Sequence, residues 1–197
     1  KLLLPADSQL RNTVTISNPL GEDFSIMRTV SLNGMLTSLS TNFNRRNKDV
    51  RLYELGNIYL PKQEPVTELP EERMQFTLGF YGDGDFYTMK GVIEEFLYKV
   101  GMNLKPEYDP ESELSFLHPG RQANVIYDGQ VIGYLGEVHP TVAANYSIKI
   151  VYTLQSLICR KSFPVQLLTA NTKALQNTRL SAVTSVWLFR TCTCRRY

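Results

Sequence analysis

Apolar and polar residues alternate along the first three quarters of the chain in two distinct periods. Val50, Leu52 and Glu54 alternate with Arg51, Tyr53 and Leu55, and the period of two predicts a strand over Val50–Leu60. Met74–Tyr81 predicts a second strand, and Thr13–Ile16 a short one that ends at the turn cluster Ser17-Asn18-Pro19-Leu20-Gly21. Val30, Leu32, Met35, Leu36, Leu39 and Phe43 recur at near-helical spacing and predict a helix over Met27–Asn47. Arg45, Arg46 and Lys48 close it, where cations suit the macrodipole. Met89, Val92, Ile93, Phe96, Leu97 and Val100 form one face of a helix over Phe86–Val100. Pro61–Glu72 reads as a loop and Gly82–Asp85 as a turn. Val125–Tyr127 and Val131–Tyr134 flank Asp128-Gly129, the signature of a hairpin with a type I′ turn. Pro140 near the first position of a short helix predicts one over His139–Tyr146. Two-residue hairpins without regular βαβ alternation imply an α+β domain, helices against an antiparallel sheet.

Composition changes that picture at one point. From Lys1 to Lys149 there are 14 basic and 19 acidic residues; from Ile150 to Tyr197 there are 7 basic residues and no acidic one. All three cysteines and Trp187 lie in the second segment, and none of the 12 glycines does. The chain therefore divides into a body, 1–149, and an atypical basic tail, 150–197, with no native fold expected of the tail. Its seven charges are scattered among apolar and Ser/Thr residues, which argues against an electrostatic RNA-binding patch. No apolar run reaches the roughly 18 residues of a membrane span. The start lacks the length and cleavage site of a signal peptide and carries no initiator Met, so the chain is expected to begin within a longer protein. The absence of cysteine before Cys159 fits a cytoplasmic origin.

The body offers little chemistry. Its two histidines, His118 and His139, each precede a proline and sit in no ligand-spaced cluster, so their nitrogens are expected to serve turn backbone groups rather than a metal. Gly79, Gly82 and Gly84 lack the Lys-Ser/Thr ending of a phosphate loop. Glu94-Glu95 and Glu111–Glu113 have no histidine or serine partner in view and read as solvated.

Five strings take the reading further. They are Ser17–Thr29 (SNPLGEDFSIMRT), Asn42–Arg46 followed by Leu52–Gly56 (LYELG), Asp85–Gly91 (DFYTMKG), Phe116–Arg121 (FLHPGR) and Ile132–Pro140 (IGYLGEVHP). In this order, over about residues 8–149, they resemble the bacterial phenylalanine–tRNA ligase beta chain. The positions that carry the resemblance include Asn18, Pro19, Arg28, Glu54, Gly56, His118, Pro119, Gly120, Arg121, Gly136, Glu137, His139 and Pro140.

The resemblance implies a class II aminoacyl-tRNA synthetase-like core in a non-catalytic copy. In that family the alpha subunit charges tRNA(Phe) with phenylalanine, using ATP and Mg2+, and the beta core packs against it in an (αβ)2 heterotetramer. A working class II site also needs an arginine two residues before the nucleotide-holding glutamate; beside Glu54 that position is Leu52. Gly133–Glu137 likewise has no arginine. No catalytic, cofactor-binding or metal residue is therefore assigned, and the chain alone is expected to be inactive. The alternative is a free-standing pseudo-synthetase module that binds a ligand or protein. The two predict different surfaces: a large exposed apolar area for a subunit core, a pocket with convergent polar groups for a binding module.

A shifted reading frame accounts for the tail. Plausible codons for Asn177–Trp187, read two nucleotides later, give YPAVSRDISL, similar to the family's opening of its next module. The same offset at Leu157–Lys161 gives DMPE, similar to its preceding loop. A genuine divergent extension is the other reading.

Overall fold

The computed structural model describes residues 1–148 and 153–159, except Glu64 and Glu113. Its elements are α1 (Leu32–Asn44), β1 (Val50–Leu60), β2 (Glu71–Tyr81), α2 (Phe86–Lys99), β3 (Glu107–Asp109), β4 (Leu117–Tyr127), β5 (Gln130–Val138), α3 (Pro140–Asn145) and β6 (Thr153–Cys159). The six strands form one sheet in the order β1-β2-β6-β5-β4-β3, every described pair antiparallel. This is the α+β architecture expected from the hairpin signals.

The period-two alternation of β2 serves two layers. Phe76, Leu78 and Phe80 join Met89, Ile93 and Leu97 of α2 with Val125 and Leu135 in one core. Tyr81, of opposite parity, joins Leu32, Met35, Leu36 and Leu39 of α1 with Leu117, Val138, Val142 and Tyr146 in the other. The sheet is thus sandwiched, with α1 and α3 on one face and α2 on the other. The α3 end is tied to α1 by Tyr146, whose hydroxyl donates to Asn33 Oδ1 at 2.5 Å while its carbonyl accepts from Ser40 Oγ at 2.6 Å. Burial pushes the Tyr146 hydroxyl up to about 12.

Several elements fall as the sequence predicts. The Asp128-Gly129 turn has φ of 49° and 69°, the left-handed pair a type I′ turn requires. Asp85 caps α2 in a reciprocal box: its carboxylate accepts from Thr88 N at 2.8 Å, and Thr88 Oγ1 accepts from Asp85 N at 3.2 Å. These Thr88 bonds hold the Asp85 carboxyl below the usual carboxylate range.

Others differ. The helix expected from Met27 begins at Leu32, because the backbone before it is used elsewhere: Met27 N donates to Val14 O and Tyr59 N donates to Arg28 O. The Thr13–Ile16 strand is a single bridge, Thr15 to Ile26. The second strand starts at Glu71, inside the expected loop, because β1 supplies eleven partners in unbroken register. Strand β3 has only three residues, too few to show a period. Strand β6 continues the sheet beyond Lys149 and lies between β2 and β5. The tail positions after Cys159 lie outside the described residues.

Candidate functional site

The residues singled out in the sequence gather into two glycine-spaced ion pairs on opposite faces of the sheet, with Asn18 and Pro19 apart from both in an exposed turn.

The first lies on the α1 face. Arg28 Nη1 pairs with Glu54 Oε1, and Arg28 Nε donates to the Asn57 carbonyl at 2.7 Å. The arginine arrives from the extended stretch beside the β1 edge. Gly56 makes room for it, since a Cβ there would overlap the guanidinium. Directly across the sheet from Glu54 is Thr77, part of a buried polar cluster. Ser31 Oγ donates to Gln75 Oε1 at 2.6 Å and also meets Thr77 Oγ1; Ser31 N donates to the same Gln75 oxygen at 3.1 Å. Sequence reasoning missed this cluster. Its signal was present: two polar residues, Gln75 and Thr77, on one face of the otherwise apolar stretch Met74–Tyr81.

The second lies on the α2 face. Arg121 Nη1 donates to Glu137 Oε2 at 2.6 Å. The Glu137 side chain is only 10% exposed, whereas that of Arg121 is 57% exposed. The pair is built by a bulge: register runs from Leu117–Val138 to Gln122–Gly136, so His118, Pro119, Gly120 and Arg121 together oppose Glu137 alone. Gly136 permits the bulge, because a Cβ would sit 2.9 Å from the Arg121 carbonyl and 3.2 Å from Gln122 Cα. His118 Nδ1 accepts from Gly120 N at 3.1 Å inside the bulge, and His139 Nδ1 accepts from Thr141 N at 3.2 Å, with Pro140 opening α3. Both imidazoles serve turn backbone groups. Among the described residues no cluster of three or more His, Cys, Asp or Glu is placed to hold a metal.

Beside this pair runs a groove of about 670 Å3, lined by Asp85, Tyr87, Lys90, Tyr108, Arg121 and Glu137 among others. Its charges are engaged within the chain. Lys90 Nζ sits 4.4 Å from the centre of the Tyr108 ring, Asp85 caps α2, and Arg121 holds Glu137. Burial, reinforced by the Glu94 carboxylate, pushes the Tyr108 hydroxyl well above its ordinary value.

Neither constellation presents a nucleophile with a base at hand. Glu54 is paired with an arginine from the preceding segment.

Residues 1–155 match the family described as "Phenylalanyl tRNA synthetase beta chain CLM domain". The chain belongs to that family. It is 46% identical over 149 residues to the phenylalanine–tRNA ligase beta subunit of Clostridium acetobutylicum, covering 76% of this chain and 19% of that protein. It is 44% identical over 148 residues to the beta subunit of Clostridium tetani, covering 75% of this chain and 18% of that one. The chain thus spans about a fifth of the length of these curated relatives. The solved pyrrolysyl-tRNA synthetase of Desulfitobacterium hafniense, a class II enzyme, shares the fold with a TM-score of 0.62 at 14% identity. That match covers 87% of this chain and 57% of the synthetase. The beta-chain family and the class II-like antiparallel fold are as the motif strings implied. Among the described residues no helix is long and apolar enough to cross a membrane.

Proposed function

We propose that this chain is a non-catalytic segment of a phenylalanine–tRNA ligase beta subunit, acting in the cytoplasm. In this reading it supports ATP- and Mg2+-dependent charging of tRNA(Phe) through assembly with a catalytic alpha subunit in an (αβ)2 heterotetramer. The observation that carries it is the Arg28–Glu54 pair. Leu52 stands where a nucleotide-holding arginine belongs, and Glu54 is bound to an arginine of its own chain. The surface favours a subunit core over a free-standing binding module. The charges lining the groove have partners within the chain, rather than converging on an open site. The test is aminoacylation by the complete beta chain carrying this segment, assayed with and without its alpha chain. Charging only with alpha present is expected; turnover by beta alone overturns the reading.

The same proposal takes the tail after about residue 149 as translated in a shifted frame. The loss of acidic residues after Lys149 supports it. Reading the gene in all three frames tests it. A YPAVSRDIS-like continuation in another frame is expected, and its absence makes the basic tail a genuine extension.

A further inference from the structure

Spatial order and chain order part at one place in the sheet. Strands β1 and β2 form one hairpin, and β3, β4 and β5 pair in chain succession as a second unit, but β2 and β5 are not paired with each other. The last strand, β6, lies between them. Leu78, Gln155 and Leu135 stand in one row across these three strands, as do Thr77, Ser156 and Tyr134. Neighbouring strands are about 4.8 Å apart, so β2 and β5 are roughly 10 Å from each other, too far for a direct hydrogen bond.

Contacts that do not involve β6 also hold the two units together. Phe76, Leu78 and Phe80 of β2 share a core with Val125 of β4 and Leu135 of β5 against α2. On the other face Tyr81 of β2 shares one with Leu117 of β4 and Val138 of β5 against α1 and α3. The helices span the gap on both faces, so β6 fills a slot walled by two strand edges. Those edges direct main-chain N–H and C=O groups into the slot, and leaving them unpaired between helical layers is costly. An extended main chain satisfies them by the same physics as strand addition at a sheet edge. We propose that the space between β2 and β5 is a preformed binding site for one extended polypeptide strand, occupied in this chain by Thr153–Cys159. Main-chain groups make the ladder, so the site works in either reading frame and does not depend on the function proposed above.

The experiment uses the whole 197-residue chain, with amide hydrogen exchange read strand by strand. Gln155→Pro removes a ladder donor from a strand paired on both sides and is expected to expel β6. The amides of β2 and β5 that face the slot then exchange on the order of a hundredfold faster, while α1 and α2 keep their protection. Gln155→Gly with Ser156→Gly weakens the strand without blocking it and speeds the same amides on the order of tenfold. A synthetic peptide of residues 150–160, added to the Gln155→Pro chain, is expected to restore slow exchange in β2 and β5. The same peptide with proline in place of its Gln155 is expected to have no effect. Unchanged exchange in the Gln155→Pro chain, or faster exchange confined to residues 153–159, overturns the proposal, since β6 would then not be what pairs the two walls. Loss of protection throughout the chain in both variants also overturns it, as does exchange in β2 and β5 that the peptide leaves fast, because the slot would then not persist without β6.

Discussion

The two arginine–glutamate pairs solve the same problem in opposite ways. Each joins a guanidinium to a strand carboxylate, and each depends on a glycine one or two residues away. At Arg28–Glu54 the partners are 26 residues apart and both about a third exposed. The arginine there fastens a separate stretch of chain to the sheet edge. At Arg121–Glu137 the partners lie on neighbouring strands, the carboxylate is nearly buried, and the arginine reaches it only because four residues bulge opposite one. The first pair joins pieces of structure; the second stabilises an irregularity within one piece. A resemblance in residue type therefore says little about what a pair does, which depends on the backbone that delivers it.

The contrast is sharpest at the glycines. At Gly136 the obstacles to a side chain include the backbone of Arg121 and Gln122, which cannot move without undoing the bulge. Gly136→Val is expected to destabilise the domain by about 3 kcal/mol, read by denaturant unfolding. At Gly56 the obstacle is the end of the Arg28 side chain, which can swing away. Gly56→Ala is therefore expected to cost only about 1 kcal/mol. Equal losses at the two sites would show that Arg28 is held as rigidly as the bulge.

The arginines give a smaller separation, in the opposite order. Arg28→Ala removes the ion pair together with the bond to the Asn57 carbonyl and should cost roughly 2 kcal/mol. Arg121→Ala removes one bond whose donor is more than half exposed, and water can replace it; roughly 1 kcal/mol is expected. Hydrogen exchange separates the two further. Arg28→Ala should speed exchange in the residue 14–27 hairpin, and Arg121→Ala should leave it unchanged.

Local periodicity and turn chemistry, both legible in the sequence alone, determined most of the regular elements. The first residues of β1 follow a period of two, α2 carries its own cap in Asp85 and Thr88, and Asp128-Gly129 can scarcely do anything but reverse a strand. Each is decided by atoms within a few positions in the chain. The motif strings added the family, because their order is itself sequence information.

Tertiary structure decided what those strings do. Met27–Thr29 has helical periodicity behind it, but hydrogen bonds to Val14 and Tyr59 hold Met27 and Arg28 outside the helix. Glu54 gains its partner from 26 residues away, and Gln75 and Thr77 become buried polar residues only when α1 brings Ser31 over them. Pro119-Gly120 marks an irregularity in β4, but that four residues come to oppose one is a mismatch between two strands that neither sequence displays alone. Periodicity records which side of an element is buried; the partner of a particular polar atom is set by how distant segments close on one another.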